Sequence, residues 1–470
     1  MIVVSRLSGK EGGNSAFFSG GRNQKWWVVA IAMIGSCMSG VTFVSVPGMV
    51  AGSGFGYLQT CLGFIAGYIV IAFVLTPLYF RLRVVSIYQY LEERFGAVTH
   101  RTGAWFFFIS KMLGASVRLF LVCLALQVMV FGPLGIPFWL NALLNVAIVL
   151  AYTWKGGVSS IIWTDVLRTI VMVLSVVMTI VFICRSLGIT DLFSTISGSG
   201  MSKVIWLDDG NHPQYFWKQF LGGIFLVVAT TGMDQDLMQR TLSCKNYKDS
   251  QKNLITSSLL QTVVIFLFLC LGVLLYLFAA QNGMSQTGDE LFPAVATGGG
   301  LPAVVGVLFT LGLVSCAYGA GGSALTALTT SFTVDILSVK NRSEQEVGRL
   351  RRLVHPCMAA LMAVTIIVFN LLNSTSAIDA VYKLAGYTYG PILGMFAFGI
   401  LTKRQIRDRL APLPAIVSPL ICLVLQTYAP LWFDGYVFSY EILPLNATLT
   451  FLGLAAISRP REQSVRPAKE

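Results

Sequence analysis

The sequence has 470 residues, 55% of them hydrophobic and only 11% charged, with a mean hydropathy of +0.73, where a soluble domain carries roughly 25% charged residues. The net charge of +12 does not point to nucleic acid, because so few charges cannot gather into a basic face on a soluble domain. Nine cysteines occur singly, with no CxxC pair and no histidine at ligand spacing, which predicts neither a disulfide nor a metal centre of Cys and His.

Apolar stretches long enough to cross a ~30 Å hydrocarbon core recur from Trp26 to about Ser458. The apolar start ahead of Phe17 is too short for a signal peptide or a span, and residues 1–25 read as a cytoplasmic N-terminal stub. In chain order the predicted spans are 26–50, 57–80, 103–131, 136–152, 159–186, 215–237, 253–280, 301–337, 350–372, 376–401, 413–429 and 440–458, about twelve in all. None alternates with the period of a barrel strand, and only helices or closed barrels satisfy their backbone in lipid. The expected architecture is therefore all-α and polytopic, with a transport domain over 26–458 and a cytoplasmic tail over 459–470. The loop over 187–214 is expected to form a short cap or helix over the exit. His100, His212 and His355 are far apart and mostly flank the spans, the ordinary setting of interfacial histidine, with a proton relay as the alternative.

Loop charge gives the orientation. Alternate loops and both terminal segments hold 26 of the 33 basic residues, including Arg81, Arg83, Lys155, Arg240, Lys245, Arg351, Lys403 and Arg459. The opposite loops hold only Arg185, Lys203 and Lys218, alongside acids such as Asp191, Asp208, Asp289 and Glu441. Basic loops stay cytoplasmic, so both termini are predicted on that side of a bacterial inner (plasma) membrane. The remaining basic residues, Lys111, Arg118, Arg168 and Lys383, fall inside spans.

Within the first span, GSCMSGVTFVSVPG (residues 35–48) combines Gly35, Gly40, Pro47 and Gly48 with small and hydroxyl residues such as Ser39. Such a segment can unwind near the midplane and turn its carbonyls to a cation or solute; a glycine-rich packing face is the other reading. Asp165 stands at the end of the fifth span, where an acid is costly unless paired. Arg168 follows at i+3, so a structural ion pair and a role in cation release are both open. Asp335, closing the eighth span, reads as a cap or loop anchor.

SGVTFVSVPG (39–48), YLEERFG (90–96), KGGVSSIIWTDVLRT (155–169), GMDQDLMQR (232–240), SALTALTTSFTVDI (323–336) and GYTYGPILGMFAFGI (386–400) resemble, in order, signature stretches of the sodium:solute symporters. The resemblance implies a LeuT-like core of ten helices in two inverted five-helix repeats, about 26–186 and 215–401, with two further helices after it. Many members begin with an additional helix, of which only the segment before Phe17 would remain. The resemblance also implies a sodium site between the first and eighth helices. Its carbonyls would come from Gly35 and Met38, its eighth-helix positions would be Cys316, Gly319 and Ala320, and Asp165 would lie near the sodium pathway. The chain departs from the family there: Gly319 and Ala320 replace two serines, removing two oxygen ligands of a hard cation. Ser323, Thr326 and Thr330 are possible substitutes, and restoring both serines is expected to strengthen the site.

By the same resemblance, Ser39, Thr42, Gln59, Arg118, Asp234 and Lys383 are candidate solute contacts. Asp234 and Lys383 stand where sugar-transporting members carry amides, so they either pair with each other or change what binds. Arginine suits a carboxylate best, which makes an anionic sugar acid or carboxylate the leading solute class. The expected function is sodium-coupled uptake by alternating access, in a monomer, with sodium as coupling ion and no other cofactor. A proton-coupled or sodium-independent carrier, or a transport-deficient sensor, is the alternative. No ATP-binding loop and no nucleophile with its base is found, which argues against an enzyme.

Overall fold

The computed structural model describes residues 17–460 apart from 19, 39, 128–130, 155–156, 213, 340–341, 373–374, 434–435, 437 and 439, and only the backbone at 41, 121, 125, 157, 160, 317 and 375–386. Fourteen helices carry the account: α1 (Trp26–Cys37), α2 (Gly40–Gly48), α3 (Tyr57–Val70), α4 (Ala97–Leu126), α5 (Phe138–Thr153), α6 (Gly157–Leu187), α7 (Phe216–Val227), α8 (Gln235–Thr241), α9 (Tyr247–Gln281), α10 (Ala303–Ser331), α11 (Glu344–Leu372), α12 (Thr375–Leu401), α13 (Pro412–Trp432) and α14 (Ile442–Ala456). Each predicted span coincides with one of these or with a broken pair. Seven segments are long and apolar enough to cross a membrane alone, the pairs α1/α2 and α7/α8 pass only together, and α5, Tyr387–Leu401 and α14 are shorter apolar helices. The predicted fifth and eighth spans are α6 and α10.

Large apolar side chains face outward along these helices, among them Leu62, Ile69, Phe73, Ile170, Val263, Val307, Val364 and Leu420. An outer surface of this kind needs an apolar surrounding, because a soluble monomer rarely exposes so much contiguous hydrocarbon. The chain is a multi-pass membrane protein. Inside, small residues let helices approach. A methyl added at Gly63 on α3 would lie 2.2 Å from the Phe220 carbonyl oxygen and 3.0 Å from the Gly223 Cα, so α3 and α7 pack backbone to backbone.

Two helices are broken, at matching places in the chain. The first pair bends by 67° between α1 and α2, where Met38 is extended (φ −93°, ψ 117°). The unwinding read from the glycines and Pro47 is therefore present, while Ser39 at its centre lies outside the described residues. The second pair bends by 74°. A π-helical turn over Val228–Gly232 leads to Asp234, extended at φ −99°, ψ 120°, whose carboxylate accepts from the N–H groups of Asp236 and Leu237 and caps α8.

The loop predicted to cap the exit contains a short helix, Leu192–Gly198, opened by Asp191. Asp335 is the expected anchor: buried, it accepts from Ser86 and Ser331 at 2.7 Å each and bonds His100 Nε2 at 2.9 Å. His100 and His355 are not interfacial but buried; His355 lies between Thr153 and Thr329 at 2.9 and 2.8 Å.

Candidate transport site

The two breaks open onto one cavity of about 280 Å³. α1 lines it with Ser36 and Cys37, α4 with Lys111 and Arg118, the second break with Asp234 and Asp236, α10 with Ala320 and Ser323, and α12 with Tyr389. Lys111 and Arg118 are seven residues apart, two helical turns, so one face of α4 presents both.

Charges inside an apolar bundle are expensive unless paired, and here most are paired. The Lys111 ammonium lies 2.8 Å from the Asp236 carboxylate and 3.1 Å from that of Asp234. Tyr389 donates to Asp234 at 2.5 Å. Asp236 also pairs with Arg240 at 2.6 Å, and Arg240 Nε reaches Asp165 at 3.1 Å. Asp165 accepts from Ser36 at 2.7 Å and lies 3.0 Å from Arg168. A run of alternating charge thus joins Lys111, Asp236, Arg240, Asp165 and Arg168 across α4, α8 and α6. Arg118 is the exception: it is exposed to the cavity and forms no ion pair among the described residues. Four cations, Lys111, Arg118, Arg168 and Arg240, face three carboxylates, Asp165, Asp234 and Asp236, which leaves one positive charge.

The expected residues fare unequally. Arg118 and Asp234 line the cavity. Asp234 takes Lys111 and Tyr389 as partners; Lys383 is on α12, but its side chain lies outside what is described. Thr42 is on α2 and does not border the cavity. Gln59 is fully buried and tied to the outer loop: its amide donates to the Gln214 carbonyl at 3.0 Å and accepts from the Trp206 N–H at 3.1 Å. Its hydrogen-bonding capacity is therefore committed away from the cavity.

The expected sodium ligands do come together around α1, α6 and α10, but a guanidinium stands among them. Arg168 Nη1 donates to the Cys316 carbonyl at 3.4 Å, and a methyl at Gly319 would lie 1.5 Å from that same nitrogen. A methyl at Gly35 would lie 2.8 Å from the Asp165 carbonyl oxygen and 3.2 Å from Arg168 Nε. Ser323 accepts from Arg240, and Met38, also buried, ends α1. A serine at 319, one of the two expected to strengthen the site together, would therefore drive a side chain into Arg168 unless the guanidinium moved.

Sequence reading missed Lys111, Asp236, Tyr389 and Arg240 as site residues, and counted Arg240 among loop charges, whereas it is 1% exposed. The available signal was Asp236 with Arg240 at i+4, the spacing of a helical ion pair, beginning two residues after Asp234.

The model of the sodium:solute symporter family matches residues 17–408. The sodium/sialic acid symporter SiaT of Proteus mirabilis is 24% identical over 413 residues, covering 83% of this chain and 79% of that protein. The sodium/sialic acid symporter NanT of Aliivibrio fischeri is 25% identical over 413 residues, covering 83% and 78%. Among solved structures, the substrate-bound outward-open state of a Na⁺-coupled sialic acid symporter superposes with a TM-score of 0.81 at 20% identity, covering 97% of this chain and 94% of that one. That likeness establishes the LeuT-like fold, and the family places the chain among transporters rather than enzymes. With its two broken helices meeting at one charged cavity, this chain is a member of the sodium:solute symporter family.

Proposed function

We infer that this symporter takes up a small anionic solute, a sugar acid or related carboxylate, by alternating access around the cavity between the two breaks. The observation that carries the reading is Arg118, a guanidinium exposed in the cavity without a carboxylate partner among the described residues while Lys111, Arg168 and Arg240 each have one. A solute carboxylate would supply the missing negative charge, and a planar guanidinium binds it with two parallel hydrogen bonds. Asp234 at the α7/α8 break and Tyr389 on α12 offer polar groups to solute hydroxyls. Sodium is the coupling ion the family implies, and the relatives named sodium/sialic acid symporters support both a sodium gradient and a sugar acid.

Two inverted repeats over about 26–186 and 215–401, each opening on a broken helix, fit rocking of one part against another about the cavity. We propose a monomer as the transporting unit. The placement of Lys and Arg supports cytoplasmic termini, and the bacterial relatives support an inner membrane as the location.

Uptake of labelled sialic acid, other sugar acids, monocarboxylates and neutral sugars into proteoliposomes, with and without a sodium gradient, tests the reading. Carboxylated solutes should enter and neutral analogues of the same size should not; uptake of a neutral solute unaffected by Arg118→Ala would overturn it.

A further inference from the structure

We propose that the Arg168 guanidinium is a resident cation that takes the place of sodium between α1 and α10, so that no exchangeable ion binds in that slot. The proposal rests on family membership and not on the choice of solute.

The geometry is specific. The guanidinium enters from α6 between two glycines. Gly35 on α1 has no side chain to block Nε, and Gly319 on α10 leaves open the space that Nη1 fills. Its charge faces the oxygens a sodium ion would use, the Cys316 carbonyl at 3.4 Å and the Asp165 carboxylate at 3.0 Å. A serine at 319 would offer a hydroxyl to an ion, but here the same position must stay bare to admit the arginine. The glycine and the arginine thus explain each other: the ligand is missing because the cation is already supplied. The second candidate ligand is also spent, since Ser323 accepts from Arg240, which holds the other Asp165 oxygen. The side chains of Asp165, Arg168 and Arg240 are each 1% exposed, so water does not screen the arrangement.

A guanidinium keeps its proton in proteins. The slot therefore cycles neither sodium nor a proton; it carries a fixed charge that bridges α1, α6 and α10 in every state that preserves these contacts. A ligand that is always bound cannot shift a conformational equilibrium by coming and going. Sodium at this position then contributes nothing to coupling, and any sodium that drives uptake by this chain binds outside the slot.

The test reads sodium without solute, so that it stands apart from the question of what is carried. Equilibrium binding of ²²Na⁺ is measured on the purified full chain and on Arg168→Ala/Gly319→Ser/Ala320→Ser. The triple variant vacates the slot and restores two hydroxyls, and it should bind one sodium ion per chain more than the unmodified protein. Equal binding by the two would overturn the proposal. Gly319→Ala gives a second reading that does not depend on the triple variant folding. It should lower Tm in the unmodified chain, where the methyl meets Arg168, and lower it less in an Arg168→Ala background. An unchanged Tm in the unmodified chain would place the guanidinium elsewhere and sink the idea.

Discussion

The Lys111 ammonium stands 2.8 Å from the Asp236 carboxylate, and this contact fastens the middle of α4 to the short helix beyond the second break. Asp234, 3.1 Å away, shares the same nitrogen, so one lysine bridges two acids. Lys111→Met should leave Asp236 with Arg240 as its remaining cation and Asp234 with hydrogen-bond donors but no cation among the described residues. The uncompensated Asp234 charge should destabilise the fold by ~3–5 kcal/mol, the usual result of removing one partner from a buried pair. Adding Asp234→Asn to that variant should recover part of the loss. Thermal unfolding in detergent, compared across the two single variants and the double, checks this; additive losses would show that the residues do not interact.

Arg118 has no competing carboxylate in the structure described, so its loss should fall on solute binding rather than on folding. Removing one partner of a desolvated charge pair costs about 2–5 kcal/mol, and ~2 kcal/mol is roughly 30-fold in Kd. Arg118→Ala should weaken binding of a carboxylated solute by at least that factor while leaving Tm unchanged, and Arg118→Lys should recover only part of it because the ammonium lacks the planar fork. Isothermal titration on the purified variants provides the measurement.

Packing between α3 and α7 predicts a contrast between two glycines. Gly63→Val must push against the Phe220 carbonyl and should cost at least ~1–3 kcal/mol through overpacking. Gly114→Ala on α4, where an added methyl meets nothing within 4 Å, should leave stability unchanged or raise it by ~0.5–1 kcal/mol from helix propensity. Paired melting curves decide between uniform and site-specific sensitivity.

Asp335 gathers Ser86, Ser331 and His100 in a buried cluster. Asp335→Ala should leave donors without an acceptor, at about 1–3 kcal/mol for a stranded group; Asp335→Asn, which keeps one oxygen, should lose less. Hydrogen exchange of residues 84–100 would show the loosening locally, and equal exchange in all three proteins would exclude Asp335 as an anchor.

Orientation has its own test at Asp289, an exposed residue of a loop poor in Lys and Arg. With the nine cysteines replaced, Asp289→Cys should react with an impermeant maleimide added from outside intact cells. Reaction only after the cytoplasmic face is opened would invert the proposed topology.

Several features were legible because they are carried by short stretches of chain. The α1 break was readable from Gly35, Gly40 and Pro47, which weaken or interrupt helical hydrogen bonding wherever they stand. The Asp165–Arg168 pair was readable because residues three apart share a helix face. The α7/α8 break was not, since Gly232 and Asp234 are a common enough helix ending; what makes it a site is that it faces the first break across the bundle. Gln59 was misplaced for a similar reason. Its side chain is drawn to the backbone of residues 206 and 214, about 150 positions along the chain.

By itself the sequence determined the all-α membrane class, the places where helices run, and the family, because hydropathy, loop charge and motif order accumulate along the chain without reference to packing. Only the tertiary structure decided which charge answers which. Asp165 and Arg240 are 75 residues apart, and Gly319 is bare because Arg168 on another helix fills the space beside it. A helix brings its own i+3 and i+4 neighbours together by its pitch. Contacts between helices depend on how their faces are turned and how closely their backbones approach, and those are properties of the packed bundle.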